Sequence, residues 1–153
     1  RSFIEPERRE EVVSNIVAIR DAVDGKRIIL VDDSIVRGTS SSAIVRDKLR
    51  SARDISLLLT FPPIMFPCYA GVDFPTQEEL LAYRISGTSK SLDEINKTIA
   101  KHLGVSALGY ADVETLSKGI GMPKDQLCLS CATGDYSCLK RKPKFMTREE
   151  MKS

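Results

Sequence analysis

The stretch IILVDDSIVRGTSSS, Ile28 to Ser42, decides how this chain is read. An aliphatic run ends in two adjacent carboxylates, Asp32 and Asp33. A short polar segment follows, with one glycine, Gly38, and hydroxyls at Thr39, Ser40, Ser41 and Ser42. From Arg27 to Val31 the run is β-branched and continuously apolar, which predicts a central strand covered on both faces. Ser40 to Arg50 reads as a helix, with Ala43, Ile44, Val45 and Leu49 apolar. Asp54 to Thr60, DISLLLT, reads as a second buried strand. Strand, helix and strand at this spacing predict a βαβ unit, hence a parallel sheet with a right-handed crossover. The fold class expected is α/β.

Working outward, the 153 residues are 42% apolar, about one domain's worth of chain with material for a core. A net charge of +2 advertises neither a nucleic-acid nor a membrane surface. No apolar stretch approaches the roughly 20 residues of a membrane span, and no signal-peptide pattern opens the chain. It begins at Arg1, not Met, which suggests a piece of something longer. Four cysteines without a secretory pattern point to a reduced, cytoplasmic setting, where such residues serve metal or redox chemistry more often than disulfides.

Before the first strand, Val12, Val13, Ile16, Val17 and Val23 recur at helical spacing, which predicts an amphipathic helix from Glu7 to Val23 closed by Asp24-Gly25. After the second strand the texture changes. Four prolines between Pro62 and Pro75 exclude a central strand and predict an ordered irregular segment. Thr76-x-x-Glu79 and Ser91-x-x-Glu94 look like capping boxes. The second opens a face of Leu92, Ile95, Ile99 and Leu103 and stops at Gly104. Asp112 to Lys118, closed by Gly119, reads as a further helix, and the charged ending from Leu139 as a solvated tail.

In open α/β sheets, ligands bind beyond the carboxyl ends of the strands, where loops run into helix N-termini. Asp32 and Asp33 fall there. Helix-terminal N–H groups and the positive end of the dipole favour an anion, Gly38 allows close approach, and the hydroxyls add donors. One phosphate fits. The carboxylates would repel it, so they face sugar hydroxyls or a divalent cation held through water. A phosphate and a diol on one small molecule describe a ribose 5-phosphate. The plain alternative is a solvated acidic turn capping the next helix. No Gly-Lys pair of a nucleotide P-loop is present, which argues against a nucleoside triphosphatase.

The string IILVDDSIVRGTSS resembles the loop by which type I phosphoribosyltransferases bind phosphoribosylpyrophosphate (PRPP). VDDSIVRGT resembles the amidophosphoribosyltransferase family in particular. The resemblance continues at RSFIEP (Arg1 to Pro6), PPIMFPCYAGVDFPTQEEL (Pro62 to Leu80) and CLSCATGDY (Cys128 to Tyr136). It implies a partial type I phosphoribosyltransferase, with a Rossmann-like parallel sheet, followed by a mostly helical, irregular, cluster-binding segment. Residues 1–61 would be the C-terminal half of the transferase core, 62–139 the proline-rich and helical segment, and 140–153 a charged tail. Asp32 and Asp33 would hold the ribose hydroxyls and Mg²⁺; Arg37, Gly38, Thr39, Ser40 and Ser41 would hold the 5-phosphate. The family converts PRPP, glutamine and water to phosphoribosylamine, glutamate and pyrophosphate in purine biosynthesis, with ammonia from glutamine as nucleophile, purine nucleotides as feedback inhibitors and a homo-oligomeric assembly. The glutaminase domain is missing from this chain, so the piece alone would be inactive.

Cys68 lies in the proline-rich segment, Cys128 and Cys131 form C-x2-C, and Cys138 follows. One C-x2-C also suits zinc knuckles and redox sites, and Cys68 alone suits core packing. One branch of the family carries a [4Fe–4S] cluster, and the resemblance places three of its ligands at Cys68, Cys128 and Cys131. The fourth would lie upstream of this chain, and Cys138 matches none. Two other readings remain open: a non-catalytic PRPP- or nucleotide-sensing module, and a small four-cysteine metal protein. Neither His102 nor the run Lys140 to Lys144 calls for more than a surface role.

Overall fold

The computed structural model describes residues 16–70, 76–87 and 91–139. Its centre is a parallel sheet. Strand β1 (Arg27–Asp32) pairs with β2 (Asp54–Leu59), with Arg27 opposite Asp54 and Asp32 opposite Leu59. Strand β3 (Ala107–Tyr110) pairs with the other edge of β2, from Ser56 opposite Ala107 to Leu59 opposite Tyr110. The order is β1-β2-β3. The βαβ expectation therefore holds, and β2 is central.

Helix α1 is short (Arg20–Val23). The helical reading of Glu7 to Val23 is corrected over residues 16–19, which are not helical; residues 7–15 lie outside the described ones. Val17 and Ile19 are exposed, so no core face holds that part of the apolar stripe in a helix. Helix α2 (Thr39–Ala43) runs into a π-helical turn (Ile44–Lys48), where the Leu49 N–H reaches Ile44 O at 3.0 Å. This is the crossover between β1 and β2. Val45 and Leu49 are buried by it.

The proline-rich run forms neither helix nor strand from Phe61 to Ala70, as its composition predicts, yet Pro62, Pro63, Ile64 and Pro67 are buried. A 3₁₀ turn (Gln77–Glu79) leads into α3 (Leu81–Ser86). Thr76 caps nothing through its side chain, so the capping-box reading there is corrected: its hydroxyl meets the Glu79 carboxylate, which is engaged elsewhere. Helix α4 (Leu92–Leu103) does carry the reciprocal box of Ser91 and Glu94, and ends at Gly104 with φ 72°. Ile95, Ile99 and Leu103 enter the core with Ile35, Leu57, Leu59, Leu81, Leu108 and Tyr110.

β1 lies at the edge of the described sheet, and Ile29 and Val31 are 66% and 60% exposed. Apolar residues on both faces suggested burial on both, but only Leu30 packs against the core. β3 is a strand where none was read. Helix α5 (Val113–Ile120) begins on the Asp112 cap but passes through Gly119 and stops at Gly121 (φ 75°), because the left-handed residue lies two positions later. Beyond it lie a 3₁₀ turn (Lys124–Gln126) and α6 (Ser130–Thr133).

Candidate functional site

The carboxyl end of β1 delivers Asp32 and Asp33 to the top of the sheet. The chain there is fastened to the start of the next segment: Thr60 N–H donates to Asp32 O at 3.1 Å and Phe61 N–H to Asp33 O at 2.9 Å. Each carboxylate accepts from the next amide, Asp32 from Asp33 N–H at 2.9 Å and Asp33 from Ser34 N–H at 2.6 Å. These bonds orient the two acids at successive positions. Partial burial, with the negative charge of Asp33 alongside, pushes the Asp32 carboxyl above its ordinary value, against the opposing bond from the Asp33 amide. A divalent cation would relieve that crowding, and the all-oxygen donor set suits Mg²⁺. The residues present fit the ion.

Ile35 is 1% exposed and anchors the loop in the core. The chain then turns at Gly38 with φ 80°, immediately before α2. Here glycine is required twice. The left-handed conformation disfavours a side chain, and a Cβ would stand 2.6 Å from Leu81 Cδ2. The turn aims the first N–H groups of α2, at Thr39, Ser40 and Ser41, out of the helix end. Thr39 is exposed, Ser40 half-buried and Ser41 buried. Arg37 turns the other way: its Nε donates to Glu79 Oε2 at 2.6 Å, with a second contact from its terminal nitrogen. The structure thus brings Asp32, Asp33 and the turn from Gly38 to Ser41 onto one end of the sheet, with Arg37 facing residues 76–81. From the sequence Glu79 was read only as the acidic member of a capping box with Thr76, and nothing there pointed to its contact with Arg37.

The cysteines gather in a second region. Cys68 and Cys131 pack against buried Ile64 and Leu80, as does Val36 from the loop. Met65 and Phe66 N–H both donate to Cys131 O at 2.9 Å, and Tyr136 donates its hydroxyl to Pro67 O at 2.6 Å. Burial, then the charges of Cys68 and Cys128, pushes the Cys131 thiol up to about 11. Cys138 Sγ lies 3.2 Å from Ser130 Oγ. All four cysteines are free thiols. Among the described residues, no three His, Cys, Asp or Glu side chains are gathered to hold a metal ion.

No family model matches the sequence. Curated relatives do. An amidophosphoribosyltransferase of Methanothermobacter thermautotrophicus is 42% identical over 141 residues, covering 89% of this chain and 28% of the relative. Those of Methanocaldococcus jannaschii (38% over 153 residues, 97% of this chain, 30% of the relative) and Bacillus subtilis (41% over 145 residues, 89% and 28%) agree. This chain is a homologue of one segment of the amidophosphoribosyltransferases. It spans under a third of the length of these relatives.

Among solved structures, the glutamine PRPP amidotransferase from B. subtilis, complexed with ADP and GMP, superposes with a TM-score of 0.64 at 39% identity. That match covers 90% of this chain and 30% of the other. A structure described as the allosteric regulatory enzyme of purine biosynthesis gives 0.64 at 38% identity, covering 87% and 28%. The parallel sheet with its helices is a partial phosphoribosyltransferase fold of the type found in these enzymes. No described helix is long and apolar enough to cross a membrane, and the relatives include a chloroplastic one from Arabidopsis thaliana.

Proposed function

We propose that this chain is a segment of an amidophosphoribosyltransferase and supplies its PRPP loop. The observation that carries the reading is the adjacency of two oriented carboxylates at the end of β1 to a left-handed glycine turn that opens a helix. The backbone N–H groups and hydroxyls of Thr39, Ser40 and Ser41 hold the 5-phosphate, and Gly38 lets it approach the backbone. Asp32 and Asp33 hold the ribose hydroxyls and Mg²⁺, which when bound neutralises charge on the leaving pyrophosphate. Ammonia displaces that pyrophosphate at the anomeric carbon. It needs little activation as a nucleophile, so positioning and electrostatics carry the step. The reaction consumes PRPP, glutamine and water and yields phosphoribosylamine, glutamate and pyrophosphate, and it acts in the cytoplasm. The whole protein is a homo-oligomer that purine nucleotides inhibit.

The cysteines enter the same reading as a [4Fe–4S] site on Cys68, Cys128 and Cys131, with a fourth thiolate from outside the chain. Cys68 and Cys131 pack against the same buried Ile64 and Leu80, which supports a site shared between the two segments.

The test is pyrophosphate release from PRPP with ammonia and Mg²⁺, in a chain extended to the length of its relatives. Release that disappears in the Asp33→Asn variant supports the proposal. A folded, full-length protein that releases none contradicts it. Iron and acid-labile sulfide after anaerobic purification support the cluster, and zinc alone contradicts it.

A further inference from the structure

We propose that Glu79 is a positioning residue for the phosphate turn. It holds Arg37, and through Arg37 it holds the left-handed turn at Gly38 in the shape that presents the first amides of α2. The inference rests on the PRPP reading above and names a group that the reading does not use.

Both oxygens of the Glu79 carboxylate are engaged. Oε2 accepts from Arg37 Nε at 2.6 Å and meets a second nitrogen of the same guanidinium. Oε1 accepts from the Thr76 hydroxyl at 3.3 Å, and Thr76 is completely buried. The Arg37 and Glu79 side chains are only 16% and 21% exposed, so solvent screens the pair weakly. The contact does not stand alone. Leu81 N–H donates to Val36 O at 2.7 Å, and the Leu81 side chain lies against Gly38 so closely that a Cβ there would collide with it. Three successive loop residues are thus met from one place: Arg37 by Glu79, and Val36 and Gly38 by Leu81 at the start of α3.

That turn is itself tied back to the proline-rich segment, where Gln77 Nε2 donates to Met65 O at 3.3 Å. With its Nε and one terminal nitrogen on Glu79 Oε2, Arg37 serves the phosphate through loop shape, and the backbone amides and hydroxyls do the binding. Taking away one member of a poorly solvated pair leaves the other charge stranded, so the turn should loosen when Glu79 alone is neutralised.

The experiment is calorimetric titration of PRPP with Mg²⁺ into the wild type, Glu79→Gln, Arg37→Gln and the double variant, with unfolding midpoints recorded for each. Glu79→Gln is expected to weaken binding about tenfold, and the double variant to bind about as weakly as Glu79→Gln alone, because the two side chains act through one contact. A purely structural pair would lower the unfolding midpoints without moving affinity, and that result overturns the proposal. A double variant that binds worse than Glu79→Gln alone also overturns it, because Arg37 would then touch the phosphate directly. A wild type that binds no PRPP removes the PRPP reading itself. Unchanged affinity in Glu79→Gln beside a binding wild type removes only the role of Glu79.

Discussion

Asp32 sits at the carboxyl end of β1, where its negative charge is costly to the fold. Burial and the neighbouring Asp33 raise its proton affinity in the folded chain. The folded state therefore binds more protons than the unfolded one between the ordinary carboxylate value and the raised one. Stability falls as pH rises through that window and stays lowered above it. Asp32→Asn should accordingly raise the urea midpoint at pH 7 and flatten its decline from pH 4, while weakening any Mg²⁺-dependent binding. An unchanged or lower midpoint at pH 7 would mean that crowding at this carboxyl is unimportant. The two acids were legible in the sequence because the aliphatic run stops at them. Glu79 was not: it meets Arg37 across 42 positions of sequence, and no local pattern encodes that meeting.

Among the elements, α4 was the most legible. Its apolar period, its Ser91–Glu94 box and its terminal Gly104 all act within the helix, so local sequence contains them. Ser91→Ala should cost about 0.5–2 kcal/mol of unfolding free energy, read from denaturant midpoints at unchanged slope. A change below the error of such curves would show that the cap is redundant with the packing of Ile95 and Ile99. β3 was hidden because its four residues, ALGY, include a glycine and owe their strand state to pairing with β2. β1 was recognised as a strand but misplaced within the sheet. An apolar run gives the same signal whether its second face is covered or, as at Ile29 and Val31 here, exposed.

Across the molecule, two apolar groups share the work. One lies between the sheet and α3 and α4, and takes in Ile35 from the loop. The other, around Ile64 and Leu80, joins Val36 of the same loop to Cys68 and Cys131. The loop that leads to the Gly38 turn is thus supported from the sheet and from the cysteine-bearing segment together. Distant parts of the sequence meet there, which is why the motif could be read before its support could. The most direct test is a titration of PRPP into this chain, with Mg²⁺ and then with a chelator in its place. The account predicts saturable, one-to-one binding that needs the ion and is lost in Gly38→Ala, which strains the left-handed turn and crowds the Leu81 side chain. Absence of binding, or binding indifferent to both the chelator and Gly38→Ala, would contradict the assignment of Ile28 to Ser42 as a PRPP loop.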